Sequence, residues 1–133
     1  MSAWVKGTGF GEHIGTLVAD NARLPKDVRN GTKAVHAACG TMLDDAEMAN
    51  GELPTPDAQV TQWLSTAYNL EGTAANECYR AGATNKKLLA KAEAETVKAE
   101  KLFSRALIRI ESIDGREPST TTTTENGPIS IFG

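Results

Sequence analysis

The segment from Thr84 to Ile113 constrains the fold of this chain more than any other. Apolar and small residues recur along it at steps of three and four without interruption. We call them the periodic stripe: Leu89, Ala92, Thr96, Ala99, Phe103, Ala106, Ile110 and Ile113. Such spacing is typical of a helix face that packs against other helices. It predicts one long helix, buried along this stripe.

Capping residues mark both ends of a second long helix, which precedes the first one in the chain. Thr55 is a suitable N-cap, and Pro56 suits a first helical position. Gly82 is well placed to end that helix in a left-handed conformation, and Thr84 to cap the next one. These signals predict a helix from Pro56 to about Gly82.

The residue pattern of the N-terminal half predicts two more helices. Glu12 to Leu24 reads as a short amphipathic helix, and Pro25 to Asn50 as a third long one with a kink or late start near Gly31. Met1 to Gly11 is glycine-rich, and we expect its aromatic residues, Trp4 and Phe10, to pack back onto the bundle.

Length and composition narrow the architecture. The chain has 133 residues, the size of one domain, and its hydrophobic fraction of 40% includes much alanine and only 5% aromatic residues. Alanine favours helix and lets helices approach closely, but it builds a thin core. We predict an all-α fold, a small antiparallel bundle of three long helices and a short N-terminal helix over residues 1–113, closed by itself or by a second copy.

Residues 114–133 differ in character. Pro118, the Ser-Thr run and Glu125 to Pro128 offer little apolar surface, so we expect a disordered or extended tether. The chain then ends on alternating apolar residues, which are typical of a short peptide that docks on a partner. The candidate docking residues are Ile129, Ile131 and Phe132.

Charge and hydropathy exclude some partners. A net charge of -3 argues against a general nucleic-acid binder and against a surface for anionic lipid. The sequence contains no run of 18 apolar residues, so we expect no membrane-spanning helix. Because Met1 to Gly11 lacks an apolar signal region, we expect a cytoplasmic protein; signal-independent export or particle association stays open.

The two cysteines are expected to be reduced. If residues 25–50 and 56–82 form a simple hairpin, Cys39 and Cys78 lie roughly 16 Å apart along the helix axes. That separation is too large for a disulfide within one chain. We therefore interpret both as small core residues, with an intermolecular disulfide as the alternative.

Side chains with catalytic or metal-binding chemistry are sparse. His13 and His36 are the only histidines, and neither lies in the Glu-x-x-His pattern of di-iron bundles. His36 and Cys39 form a single pair, which falls short of a zinc site. We expect no enzyme activity, no metal and no cofactor, and no motif assigns a family.

Three hypotheses for function remain. The first is a non-enzymatic association module that binds a protein partner or itself, with a homo-oligomer expected. Its candidate interaction face is the apolar part of the periodic stripe, Leu89, Ala92, Ala99, Phe103, Ala106, Ile110 and Ile113. The second is an exported or particle-associated protein with a docking tail. The third is a binder of nucleic acid or an acidic ligand through Lys98, Lys101, Arg105 and Arg109, which otherwise form a solvated face. The sequence names neither the partner nor the oligomeric state.

Overall fold

The computed structural model describes residues 1–116, and these residues are almost entirely helical. The all-α prediction is therefore confirmed for this part of the chain, which contains no strand. The predicted docking tail lies outside the described residues. In chain order the five helices are α1 (Ser2–Thr8), α2 (Phe10–Arg29), α3 (Thr32–Asn50), α4 (Ala58–Ala81) and α5 (Lys86–Arg116).

The bundle has four long helices where three were predicted. The N-terminal helix was expected to end at Leu24, but α2 continues through Pro25 to Arg29. Proline removes one backbone donor, and here the apolar face outweighs that loss, because Leu24 is buried and Val28 packs against the same cluster. The break comes instead at Gly31, whose φ of 103° favours glycine.

The helix caps differ from the predicted ones by one or two residues. Asp57 caps α4, because its carboxylate accepts a hydrogen bond from the backbone amide of Val60. Asn85 takes the same role at α5, where its side-chain oxygen accepts from Leu88. Thr55 makes a local turn before Asp57 and does not cap the helix itself. Both real caps belong to the residue types that favour this position.

Consecutive helices run antiparallel, and α4 lies between α3 and α5. The start of α4 is joined to the end of α5 by Asp57 and Arg109. The end of α4 is joined to the start of α5 by an ion pair of 2.7 Å between Glu77 and Lys91. α2 packs along α3 and meets α5 only over a short stretch.

Two apolar clusters form the core. The larger one contains Phe10, Leu64 and Phe103, with Trp4 and Trp63 packed against it. The smaller one contains Leu24, Val35, Met42 and the two cysteines. Most of the periodic stripe is buried within these clusters, and the Phe103 ring lies 5.8 Å from that of Tyr68. The predicted burial of Phe103 is confirmed, because its side chain is only 2% exposed.

A short helix covers one end of the bundle. The glycine-rich N-terminal segment is helical from Ser2 to Thr8, and Gly9, with a φ of 67°, joins this helix to α2. The Trp4 ring lies 5.3 Å from Phe10, and its indole nitrogen donates a hydrogen bond to the carbonyl of Glu52. The predicted packing of these two aromatic residues against the bundle is thus confirmed.

The prediction of two reduced cysteines is wrong. Cys39 and Cys78 form a disulfide, and their Cα atoms are 6.1 Å apart. The bridge closes a loop of 39 residues between α3 and α4. In a chain-entropy treatment a loop of that size stabilises the fold by about 4 kcal/mol.

The predicted separation of the cysteines was wrong because it assumed a tight turn between α3 and α4. The hairpin estimate placed the first residue of α4 level with the last residue of α3. With the two cysteines level, Asn50 lies 11 residues from Cys39, whereas Ala58 lies 20 residues from Cys78. At 1.5 Å per residue, α4 therefore begins roughly 13 Å beyond the end of α3. Residues 51–57 run along the bundle before the chain reverses.

Candidate functional site

A layer of polar side chains separates the two apolar clusters. Every long helix contributes to it where its buried face passes from one cluster to the other. We call this set the polar layer: Asp20, Asn21, Asp45, Glu71, Thr96 and Glu100. Asp20, Glu71 and Thr96 are buried, and the other three are half-buried.

One amide links three helices within the polar layer. The side-chain nitrogen of Asn21 donates to Glu71 at 2.8 Å and to Glu100 at 2.9 Å. The second carboxylate oxygen of Glu71 accepts no hydrogen bond. Burial raises the pKa of Glu71 to about 7, against the effect of Asn21 and with the help of the charges on Glu100 and Asp20. Glu71 is therefore partly protonated at neutral pH.

A second carboxyl pair joins α2 to α3. Burial raises the pKa of Asp20 to about 7, helped by a hydrogen bond shared with Asp45 and by the charge of that carboxylate. Arg23, whose guanidinium lies 2.9 Å from Asp20, acts in the opposite direction. One oxygen of Asp20 and one of Asp45 otherwise have no hydrogen-bond partner, so a proton retained by Asp20 can be shared with Asp45.

Burial limits what the polar layer can do. Glu71 is 0% exposed and Asp20 only 6%, so neither carboxyl meets a substrate in this conformation. Within residues 1–116, no group of three or more His, Cys, Asp or Glu side chains is placed to hold a metal ion. The layer acts on the fold, as a proton-dependent contact between all four long helices.

The position of Glu71 in the sequence indicates that its side chain is buried. Glu71 lies four residues after Ala67 and three before Ala74, both on the buried face of α4. A carboxylate in step with an apolar stripe points inward, because side chains at these steps share one face.

A second feature lies on the opposite side of α5. The helix presents an uninterrupted line of exposed residues at steps of four and three. We call it the outer stripe: Ala90, Ala94, Val97, Lys101, Ser104 and Ile108. Ile108 is 69% exposed and Val97 46%. At 100° per residue, the centre of the outer stripe lies about 160° from that of the periodic stripe.

An open groove continues the outer stripe towards α4. Trp63, half-buried, forms its wall together with Ile108, Arg105, Arg109 and Ser112. The indole and the isoleucine thus make a continuous apolar surface at this end of α5. A partly exposed Trp that lines one groove with an exposed Ile is typical of protein interfaces.

The predicted site residues lie in three different settings. Of the proposed interaction face, Ala92, Ala99, Phe103, Ala106 and Ile110 are buried, and Leu89 and Ile113 are half-buried. In the single chain they pack inward, so an association through them requires the bundle to open. The docking residues Ile129, Ile131 and Phe132 lie outside the described part.

The predicted basic face is divided. Lys98, Lys101 and Arg105 are exposed, whereas the Arg109 guanidinium donates two hydrogen bonds to Asp57, at 2.7 and 2.9 Å. This contact and the backbone amide of Val60 lower the pKa of Asp57 to about 2. Arg109 therefore holds the start of α4, and binding of an acidic ligand by the other three stays a prediction.

Comparisons with known proteins give no relative. No family model matches the chain, and no curated protein or solved structure is significantly similar to it. Among residues 1–116, no helix combines the length and the apolar character needed to cross a membrane. The arrangement of side chains is thus the basis for any functional proposal.

The polar layer predicts that stability falls as pH rises. The pKa values of Asp20 and Glu71 are raised from 3.8 and 4.5 to about 7 on folding. Between these values the folded state retains protons that the unfolded chain has released, so the free energy of unfolding decreases with increasing pH. Urea unfolding at about pH 5 and about pH 8 should show the more stable protein at the lower pH.

Two variants identify the source of this pH dependence. Glu71→Gln should remove part of it and stabilise the protein at about pH 8, on the order of 2 kcal/mol. Asp44→Asn, at an exposed carboxylate of α3, is the matched control and should leave the slope unchanged. A wild-type protein that gains stability towards about pH 8 would contradict the raised pKa values.

Proposed function

We propose that this protein is a non-enzymatic association module that binds another protein, or a second copy of itself, through the outer stripe of α5. The exposure of Val97 and Ile108 in step along this helix is the observation that carries the proposal. Single exposed apolar residues are ordinary on protein surfaces. Two of them on one face of a helix, with the half-buried Trp63 beside Ile108, are typical of a surface that another helix covers.

Within residues 1–116 the fold makes no use of the outer stripe. The apolar faces of α2, α3, α4 and α5 are directed into the two core clusters. Folding of residues 1–116 therefore does not account for the apolar side chains of Val97 and Ile108 on the outer side of α5. Association accounts for them, because packing against another helix removes their apolar surface from water.

The size of the outer stripe favours a weak or regulated association. Full burial of an exposed valine or isoleucine contributes about 1.5–3 kcal/mol. Association costs an estimated 4–15 kcal/mol in lost translational and rotational freedom. The two large side chains at most offset the lower end of this cost, so a stable complex also requires contacts at the Trp63 groove.

The disulfide favours a second candidate function, that of an exported or particle-associated protein. Disulfides form and persist in oxidising environments and are rare in the cytosol. The Cys39–Cys78 bridge thus supports this alternative over the expected cytoplasmic location. It is compatible with the association proposal, since a module of this kind can act inside a particle or outside the cell.

The second candidate is tested by the redox state of the cysteines. Thiols are alkylated as cells or particles are lysed, and the mass of the protein then reports whether Cys39 and Cys78 are oxidised. We expect both to be bridged in the compartment where the protein acts. Two alkylated thiols in the native source would contradict the exported or particle-associated function.

The association proposal is tested by Ile108→Gln. This substitution should leave the free energy of unfolding within about 0.5 kcal/mol, because Ile108 is on the surface. It should weaken binding about tenfold or more, since burial of the isoleucine is lost. The readout is the native mass of the tagged protein in an extract of the cells that produce it.

Met48→Gln is the matched control, since Met48 is another exposed apolar residue, 60% exposed, and lies on α3. It should leave the native mass unchanged. A wild-type protein that migrates as a single chain in the extract, like the Ile108 variant, would contradict the proposed function.

A further inference from the structure

We propose that the outer stripe of α5 binds the outer stripe of a second copy of this chain, with the two helices parallel and in register. The inference rests on the proposed function and names its partner. It follows from the charged residues that border the outer stripe on either side.

The outer stripe has the spacing of a two-helix coiled coil. Its steps of four and three, from Ala90 to Ile108, place Ala94, Lys101 and Ile108 at one core position of the heptad and Ala90, Val97 and Ser104 at the other. All six are exposed in the single chain. The stripe is about 28 Å long, which is short for a coiled coil and agrees with a weak dimer.

The two borders of the outer stripe have opposite charge. Glu93 and Glu100 lie on one side, each directly before a core position. Lys91, Lys98 and Arg105 lie on the other side, each directly after one. Of these, Glu93, Lys98 and Arg105 form no ion pair with another of residues 1–116 and are available to a partner.

This charge pattern selects the partner and its direction. In a parallel coiled coil, a residue before one core position faces the residue five positions later on the other helix. Glu93 then meets Lys98 of the second copy, and each such contact occurs twice by symmetry. Glu100, which also accepts a hydrogen bond from Asn21 of its own chain, faces Arg105 in the same way. In an antiparallel pair, like borders meet, so acid would face acid and base would face base. The surface is therefore complementary to itself only in the parallel arrangement.

Lys101 and the small residues fit this arrangement. Alanine and serine let the two helices approach closely. A single lysine at a core position lowers the stability of a coiled coil and favours one register. Trp63 and Ile108, at one end of the stripe, provide the largest apolar contact.

Reciprocal charge reversal tests the proposal. Light scattering on the purified wild-type chain should give twice the mass of a single chain at high concentration. Glu93→Lys alone and Lys98→Glu alone should each weaken the dimer tenfold or more, because each places like charges opposite one another. An equimolar mixture of the two variants should restore the dimer, since each chain then complements the other.

The possible outcomes separate this inference from the proposed function. A wild-type chain that stays monomeric at every concentration, variants that dimerise as tightly as wild type, or a mixture that fails to recover would each overturn the parallel homodimer. The proposed function falls only if the native mass in the cell extract is also that of a single chain. A larger native mass with a monomeric purified protein indicates a different partner and overturns the homodimer alone.

A crosslink tests the direction of the helices. Ser104→Cys places a thiol at a core position, where a parallel pair in register brings the two copies together. Mild oxidation should then yield a covalent dimer through this thiol. Cys39 and Cys78 do not compete, because they are already bridged to each other. Ala22→Cys, at an exposed position of α2, is the control and should remain uncrosslinked. A dimer in solution that fails to crosslink through the Ser104 variant would overturn the parallel register.

Discussion

The packing of α4 between α3 and α5 is the constraint on which the rest of the structure depends. The disulfide to Cys39 fixes α3 beside the end of α4. Ion pairs at both ends of α4, to Lys91 and to Arg109, fix α5. In the middle, Glu71 reaches α2 through Asn21. With α4 so placed, the periodic stripe of α5 turns inward, and no other helix of residues 1–116 covers the opposite side of α5.

The polar layer makes this packing specific at some cost in stability. Burying carboxyl groups is unfavourable unless they share protons or hydrogen bonds, and here they do both. A slip of one helix by a turn would move Glu71 into an apolar cluster and leave it without Asn21. We interpret the layer as a device that fixes the register of four helices whose alanine-rich faces specify it only weakly.

The sequence predicted those parts of the fold that depend on local periodicity. The helix that became α5, the burial of Phe103 and the end of α4 before Gly82 were all predicted correctly, because each follows from residues close in the chain. The left-handed conformation expected at Gly82 was not, since its φ of 59° is combined with a ψ of -151°. The disulfide was missed because the axial offset between α3 and α4 depends on the path of residues 51–57. No local pattern specifies that path.

The candidate sites show the same division. The polar layer was missed because each helix contributes only one or two of its members, and their meeting is a tertiary event. The outer stripe was missed for a different reason. Its spacing is present in the sequence, but alanine, lysine and serine carry most of it, and only the burial of the opposite face shows that Val97 and Ile108 are left exposed.

We propose that α5 uses two opposite faces, one for its own fold and one for a second chain. Methyl NMR on dilution distinguishes the two faces, because alanine and aliphatic methyl groups lie on each. The methyl groups of Ala94, Val97 and Ile108 on the outer stripe should show concentration-dependent shifts. Ala99, Ala106 and Ile110 on the periodic stripe should not shift. Shifts of the inner methyl groups with dilution, or of neither set, would contradict this proposal.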